Sequence, residues 1–285
     1  MGKIGYLGPE GSFSHEAASR WAGRQGGGAV LEAFGDLPSL FSAAERGSVA
    51  QAVCPLENSL EGSVTLSLDL WLHESTLVQV GEIVLEVRQW LLARPGVQLH
   101  QIERLLSHPQ ALAQCRRTLR SLLPGAAIEH APSTAEAARR VAASDRPWAA
   151  VASGEAAARY GLAVAFGPVQ DGDPNATRFG VLARGWPQPT GHDRTSLVVG
   201  SLSDRPGLLR DLLAEFADRG INLSRIESRP SREGMGRYLF LIDLEGHASE
   251  PPVAAALAAV RRHVGYFRLL GSYPRDPGAA SRADR

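Results

Sequence analysis

Between Arg184 and Arg194 the chain reads Gly185-Trp186-Pro187-Gln188-Pro189-Thr190-Gly191-His192-Asp193, a run of breakers without apolar period. This stretch constrains the fold most, because it divides 285 residues, too many for one domain of ordinary size, into two unlike patterns. Before it, short apolar runs alternate with helical patterns, the mark of an α/β architecture. Strands are predicted at residues 4–7, 52–54, 105–107, 149–152 and 179–183. Ser133-Thr134-Ala135-Glu136 reads as a capping box, and Pro109 suits a first helical turn, where its missing N–H has no partner to lose. After the linker come a strand (195–200), an amphipathic helix (207–219) closed by Gly220, and a strand (221–228). A hairpin at Gly234 and Gly236, a strand (238–244), a helix (253–264) and a strand (267–272) follow. The order βαββαβ is the ferredoxin-like arrangement, with both helices on one face of an antiparallel sheet whose edge can pair with another copy. Residues 274–285, poor in large apolar groups, read as a disordered tail.

Lys and Arg total 30, as do Asp and Glu, so no basic excess calls for nucleic acid or an anionic membrane. No apolar stretch reaches the roughly 18 residues of a membrane span, and the N-terminus lacks the apolar core of a signal peptide. A cytoplasmic location is expected. Cys54 and Cys115 match no zinc or disulfide spacing and are expected as buried thiols.

Three polar clusters end predicted strands: Gly8-Pro9-Glu10-Gly11-Ser12-Phe13-Ser14-His15, Pro55-Leu56-Glu57-Asn58-Ser59-Leu60-Glu61-Gly62-Ser63, and Ser107-His108-Pro109-Gln110. In open α/β sheets such loops converge on one cleft. Each also leads into a predicted helix, whose unpaired amides and positive dipole end favour an anion. Gly5, Gly8 and Gly11 are spaced GxxGxxG, which does not support a dinucleotide. The first cluster reads equally well as a glycine-rich turn capped by Ser12. Glu57 beside Asn58 offers a proton carrier next to a hydrogen-bond donor, or an ordinary Asx turn. His108 and Gln110 flank a helix start, where His108 is a site residue or a cap. Asp173-Pro174-Asn175-Ala176-Thr177-Arg178-Phe179 is a turn entering a strand, with Thr177-Arg178 structural or functional.

Taken in this order, Gly8 to Ser14, Pro55 to Gly62, Ser107 to Leu112 and Asn175 to Phe179 resemble the motifs of prephenate dehydratases. Asp204-Arg205-Pro206-Gly207-Leu208-Leu209, Ile221-Asn222-Leu223 and Ile226-Glu227-Ser228-Arg229-Pro230 resemble their ACT regulatory domain. The resemblance implies a catalytic half over residues 1–185, two α/β lobes and a cleft as in periplasmic binding proteins, then an ACT domain over 194–273. It implies no cofactor and no metal, prephenate as substrate, L-phenylalanine as effector, and a homodimer or homotetramer formed through ACT domains. Thr177 is the family's residue for the departing hydroxyl, on a return crossing into the first lobe, with Glu57 the alternative proton donor. Arg178 is expected to clamp a substrate carboxylate, with Ser12, Asn58, Ser59, Gln110 and Phe179 around the substrate. Gly207, Leu208, Leu209, Asn222, Leu223, Glu227, Ser228, Arg229 and Pro230 are expected at the effector. Leu208 replaces the alanine common at that place and is expected to narrow the effector pocket. Arogenate dehydratase, or a ligand-binding sensor without chemistry, remain the competing readings.

Overall fold

The computed structural model of the chain describes residues 2–172, 175–200, 206–232, 234 and 237–280. It divides into two compact units, one of Met1–Leu68 with Ile83–Phe179, the other of Asp69–Glu82 with Gly180–Arg285.

The first unit begins with β1 (Ile4–Leu7), α1 (Phe13–Arg24), β2 (Leu31–Phe34), α2 (Leu37–Glu45) and β3 (Gln51–Asn58). β1 lies between β2 and β3, parallel to both, the pairing that helical crossovers produce. Ala17 and Ala18 of α1 and Leu40 and Phe41 of α2 are buried with Ile4 and Tyr6 of β1. The two-residue β4 (Gly62–Ser63) turns back on β3 and leads into α3 (Thr65–His73) and β5 (Val78–Val87).

A second lobe follows: β6 (Trp90–Ala93), β7 (Arg104–Ser107), α4 (Pro109–Gln114), α5 (Arg116–Leu122), β8 (Ala127–His130), α6 (Thr134–Ala142), β9 (Trp148–Ala152), α7 (Gly154–Tyr160) and β10 (Ala163–Phe166). Its five strands lie in the order β10-β6-β9-β7-β8. Side chains alternate across a strand, so Leu91, Leu105 and Val151 pack with α4 and α5 on one face while Leu92, Leu106 and Ala150 pack with α6 and α7 on the other. Fully burying such a side chain contributes roughly 1.5–3 kcal/mol. β11 (Asn175–Ala183) then returns beside β3 in the first sheet, as expected for Thr177.

The second unit holds β12 (Asp193–Gly200), α8 (Leu208–Ala217), β13 (Leu223–Pro230), β14 (Tyr238–Glu245), α9 (Pro251–His263), β15 (Tyr266–Pro274) and the short α10 (Pro277–Ala280). Its strands run β13-β14-β12-β15 with every neighbour antiparallel, the ferredoxin-like arrangement. Leu208, Leu212 and Phe216 repeat every four residues and bury against Val253, Leu257 and Val260 of α9 and against Leu197, Val199, Ile242 and Leu244 of the sheet.

The other face of this sheet is covered by residues drawn from far earlier in the chain. Trp71 is buried, and its indole N–H donates to Leu77 O at 3.1 Å. Arg268 of β15 donates to the carbonyls of Trp71, Leu72 and Ser75, satisfying the C-terminal end of α3. Gln79 of β5 pairs with Gly271 of β15 so closely that a Cβ at 271 would lie 2.4 Å from Gln79 O. The fully buried Glu82 takes Arg194 Nη1 at 2.6 Å and the Asp276 N–H at 3.1 Å.

Some local expectations change. Residues 274–280 are ordered rather than part of a tail, because Pro274 ends β15 and the buried Asp276 is tied to Glu82; residues 281–285 lie outside the described residues. The linker closes on a turn in which Asp193 accepts from the Thr190 and Gly191 N–H groups, at 2.7 and 3.0 Å. Ser133 caps α6 by accepting from Glu136 N at 3.0 Å, but Glu136 turns to Arg139 and Arg140, so only half the capping box forms. Asp173, Pro174, Asp204, Arg205 and Gly236 lie outside the described residues. Among the described residues no helix is long and apolar enough to cross a membrane, and no three His, Cys, Asp or Glu side chains gather as for a metal.

Candidate active site

All three sequence clusters reach one cavity of about 430 Å³ in the first unit, within the usual range for small-molecule sites. Ser12, Phe13 and Ser14 open α1, His108 and Gln110 open α4, and Pro132, Ser133 and Thr134 open α6, all on its wall. Ser12 caps its helix by accepting from His15 N at 3.2 Å and donates to Leu7 O. His108 caps α4, its Nδ1 accepting from Gln110 N at 3.4 Å. The capping readings of these two residues thus hold while both stay on the wall. First-turn N–H groups have no preceding turn to pair with, so the nine-residue α6 and twelve-residue α1 each turn a partial positive charge toward the cavity. Among the described residues no Lys or Arg lines it, and Glu61 and His108 are its titratable side chains.

Asn58 and Thr177 meet on the same cavity's wall, where Asn58 Nδ2 donates to Thr177 Oγ1 at 2.9 Å. Asn58 also makes the Asx turn, its Oδ1 accepting from Leu60 N at 3.0 Å and Glu61 N at 3.2 Å. Because backbone N–H groups claim Oδ1, the amide must present its NH₂ to Thr177. The threonine oxygen accepts there and keeps its own proton to donate.

Strand alternation settles which neighbours share this wall. Thr177 and Phe179 face the cavity, whereas Arg178 between them points away and is not on the wall. Its Nε and Nη2 donate to Glu57 Oε2 at 3.0 and 2.8 Å, joining β11 to β3 behind the site. The expectation that Arg178 clamps a substrate carboxylate, and that Glu57 donates a proton, therefore meets a geometry that commits the two groups to each other. Ser59 is also off the wall; it accepts from Ala176 N at 2.9 Å and donates to Asn175 Oδ1 at 3.3 Å, bracing the start of β11. Gln110 donates to Glu61, bridging the two lobes. They are further joined where Ser153 Oγ donates to Gly11 O at 3.0 Å and Tyr160 OH to Glu10 O at 2.7 Å. Gly11 has φ +79°, and a Cβ there would lie 3.3 Å from Ala156 Cα, so glycine fits both the turn and the close approach.

The sequence reading missed Val87, Gln89 and Gln114 on the wall, for which no local signal exists, and Thr134, which the cap at Ser133 could have indicated. Burial pushes the Cys54 and Cys115 thiols up to about 12, as suits inert core cysteines.

In the second unit the expected effector residues take several settings. Gly207 precedes α8 with φ +83°, and Leu209 is partly buried. Leu208 is in the core against α9 and the sheet, because it occupies the buried stripe of α8. Asn222 is exposed, Leu223 opens β13 and Pro230 ends it. Ser228 is exposed, while Glu227 accepts from Arg225 at 2.5 Å and Arg229 donates to Asp69 at 2.9 Å.

Comparison with known proteins identifies relatives of this chain. The family model for prephenate dehydratase matches residues 4–186, and that for the ACT domain residues 195–262. A prephenate dehydratase of Amycolatopsis methanolica is 41% identical over 99% of this chain and 91% of its own. The solved prephenate dehydratase of Arthrobacter aurescens, in complex with L-Phe, is 35% identical with a TM-score of 0.85, covering 99% of this chain and 97% of that one. A solved structure described as a novel type of quorum quenching acylase is 31% identical with a TM-score of 0.86, covering 97% of this chain and 99% of its own.

Proposed function

The chain belongs to the prephenate dehydratase family, and on that premise we propose that it is a carbon–oxygen lyase converting prephenate to phenylpyruvate, feedback-regulated by phenylalanine. The observation that carries this reading is the Thr177 hydroxyl, held as an acceptor by Asn58 in a cavity also lined by the first turns of α1 and α6. Prephenate has two carboxylates, a ring hydroxyl and a ring one step from aromaticity. The bond to the ring carboxylate breaks and its electron pair enters the ring as the C–O bond breaks. Carbon dioxide leaves, and the departing oxygen takes one proton to leave as water. The first turns of α1 and α6 suit the carboxylates, replacing the arginine clamp. Thr177 donates to the departing oxygen, where negative charge develops, and such preorganised donors act on the barrier itself. Phe179, Ser12 and Gln110 shape the site, with Glu61 and His108 also on its wall. The Glu57–Arg178 pair and Ser59 hold β11 so that Thr177 meets Asn58.

The same proposal covers residues 1–185 as catalytic, 194–273 as an ACT domain sensing phenylalanine, oligomerisation through ACT domains, and a cytoplasmic location. The edge position of β13, with Ile226 45% exposed, supports pairing with a second copy. The test is formation of phenylpyruvate from prephenate by the purified full chain, with arogenate and an acyl-amide substrate in parallel. Turnover of prephenate above the other two is the expected result. Preference for arogenate would change the substrate, and acyl-amide cleavage alone would overturn the reading, since one fold hosts many chemistries.

A further inference from the structure

The effector segment Glu227–Pro230 lies in β13, and its charged residues face away from α8 and α9. Ile226 pairs with Ile242, whose side chain is in the core under the helices, so Arg225, Glu227 and Arg229 project from the opposite face. There Arg229 Nη2 donates to Asp69 Oδ1 at 2.9 Å, and Arg232 Nη2 to Asp69 Oδ2 at 3.0 Å. Asp69 thus accepts one arginine on each oxygen while only 27% of its side chain is exposed, and Arg229 is 14% exposed. Partial burial alone would raise the Asp69 carboxyl, but the hydrogen bonds from Arg229 and Arg232 outweigh it and hold the group below its usual value. Arg268 fastens the same stretch at the carbonyls of Trp71, Leu72 and Ser75.

Asp69 is a residue of α3, which runs unbroken from Thr65 to His73. The residue immediately before α3 is Val64, which lines the catalytic cavity and whose N–H donates to Leu56 O. The turn before that carries Asn58, the partner of Thr177. Only ten residues, an Asx turn, a two-residue strand and one helical turn, separate Asn58 from the first strand-fixed position on the effector side, and a helix transmits displacement along its axis better than a loop does.

We propose that the Asp69–Arg229 ion pair is the coupling contact of feedback regulation: it ties the position of α3, and through it Asn58 and Thr177, to the state of the effector segment in β13. This rests on the proposed dehydratase and phenylalanine-sensing functions. An effector that contacts Glu227–Pro230 changes where Arg229 can hold Asp69, and a ligand shifts an equilibrium only by such differential contacts. Asp69 touches neither the substrate cavity nor the expected effector residues other than Arg229, so its removal separates transmission from both binding events.

The experiment compares the full-length wild type with Asp69→Asn and Asp69→Glu, reading kcat/KM for prephenate with and without saturating phenylalanine, and phenylalanine binding by calorimetry. Asp69→Asn keeps basal kcat/KM and phenylalanine Kd within about threefold, while inhibition by saturating phenylalanine falls from about tenfold or more to less than twofold. Asp69→Glu restores at least part of the inhibition. Full inhibition in a folded Asp69→Asn overturns the proposal, as does loss of phenylalanine binding with the inhibition, which would make Asp69 an effector-site residue. A wild type that turns over prephenate without binding phenylalanine overturns the coupling and sensing claims but leaves the catalytic one. A wild type without turnover overturns the proposed function itself.

Discussion

Substituting Asn58 by Asp keeps the shape of the catalytic wall and inverts one hydrogen bond. In the wild type Asn58 Oδ1 accepts from Leu60 N and Glu61 N at 3.0 and 3.2 Å, and Nδ2 donates to Thr177 Oγ1 at 2.9 Å. A carboxylate still accepts from both backbone groups, so the Asx turn survives, but its second oxygen can only accept. The Thr177 proton is then drawn to it and away from the departing oxygen. Loss of one positioned transition-state donor costs roughly 10²–10³ in kcat, about 2.7–4 kcal/mol. Thr177→Val, which keeps the β-branched shape and removes the hydroxyl, should cost the same. Because both changes remove one donor, the double variant should have a kcat within about threefold of either single variant. The added negative charge also raises KM for a dianionic substrate, so the decisive readings are kcat values from initial rates of phenylpyruvate formation at saturating prephenate. An Asn58→Asp enzyme with near-normal kcat, or losses that multiply in the double variant, would refute the assigned direction of the Asn58–Thr177 bond.

Arg178→Lys breaks the guanidinium fork on Glu57 behind the site, so the melting temperature should fall by several degrees with KM changed less than about threefold; a tenfold rise in KM at unchanged stability would put Arg178 on the substrate after all. Glu136 is held down at about 2, chiefly by the Arg139 hydrogen bond, with partial burial opposing and Arg140 assisting. Its folded value lies below the ordinary 4.5, so its stabilisation is complete above that value and is lost as pH falls toward 2; the deficit of Glu136→Gln in melting temperature should be largest near pH 6 and vanish near pH 2, and a pH-independent deficit would contradict this. A fragment of residues 1–191 lacks Arg194 and Asp276, and so loses the guanidinium and the backbone N–H that Glu82 accepts from, together with the sheet that Asp69–Glu82 packs on. That fragment should melt well below the full chain, and equal melting temperatures would show that Asp69–Glu82 does not depend on the C-terminal unit.

Much of this architecture was readable in advance where local chemistry decides it. β1 spans Ile4–Leu7 as predicted, Pro109 opens α4, and Ser12 and Ser133 cap α1 and α6, since caps and apolar runs act within a few residues. The βαββαβ order of the second unit followed from its apolar periodicity and from the glycines that end its helix and mark its hairpin. β2, β4, β8 and β10, at two to four residues each, carry too little pattern to stand out. The pairing of Arg178 was open to strand alternation: with Thr177 and Phe179 on the cavity wall, the residue between them turns to the other face, toward Glu57. Glu57 was read as a proton carrier beside Asn58, its arginine partner lying 121 residues away in sequence. The attachment of Asp69–Glu82 to the second unit had no local signal, as the partners of Glu82 and Trp71 come from residues beyond 190.

That attachment imposes an order of events during synthesis. Glu82 emerges 112 residues ahead of Arg194, and the carbonyls at the end of α3 emerge more than 190 ahead of Arg268. At ribosomal rates of about 5–20 residues per second, the strap waits roughly 5–20 s for Arg194 and longer for Arg268. Throughout that interval Trp71, Leu72 and Leu77 have no sheet to cover them, while the strands on either side of them in sequence can already pair. The nascent chain therefore carries an apolar loop in the middle of a half-built lobe, a natural landing place for a holding chaperone. Slow translation of the last hundred codons would lengthen that exposure without changing a single residue.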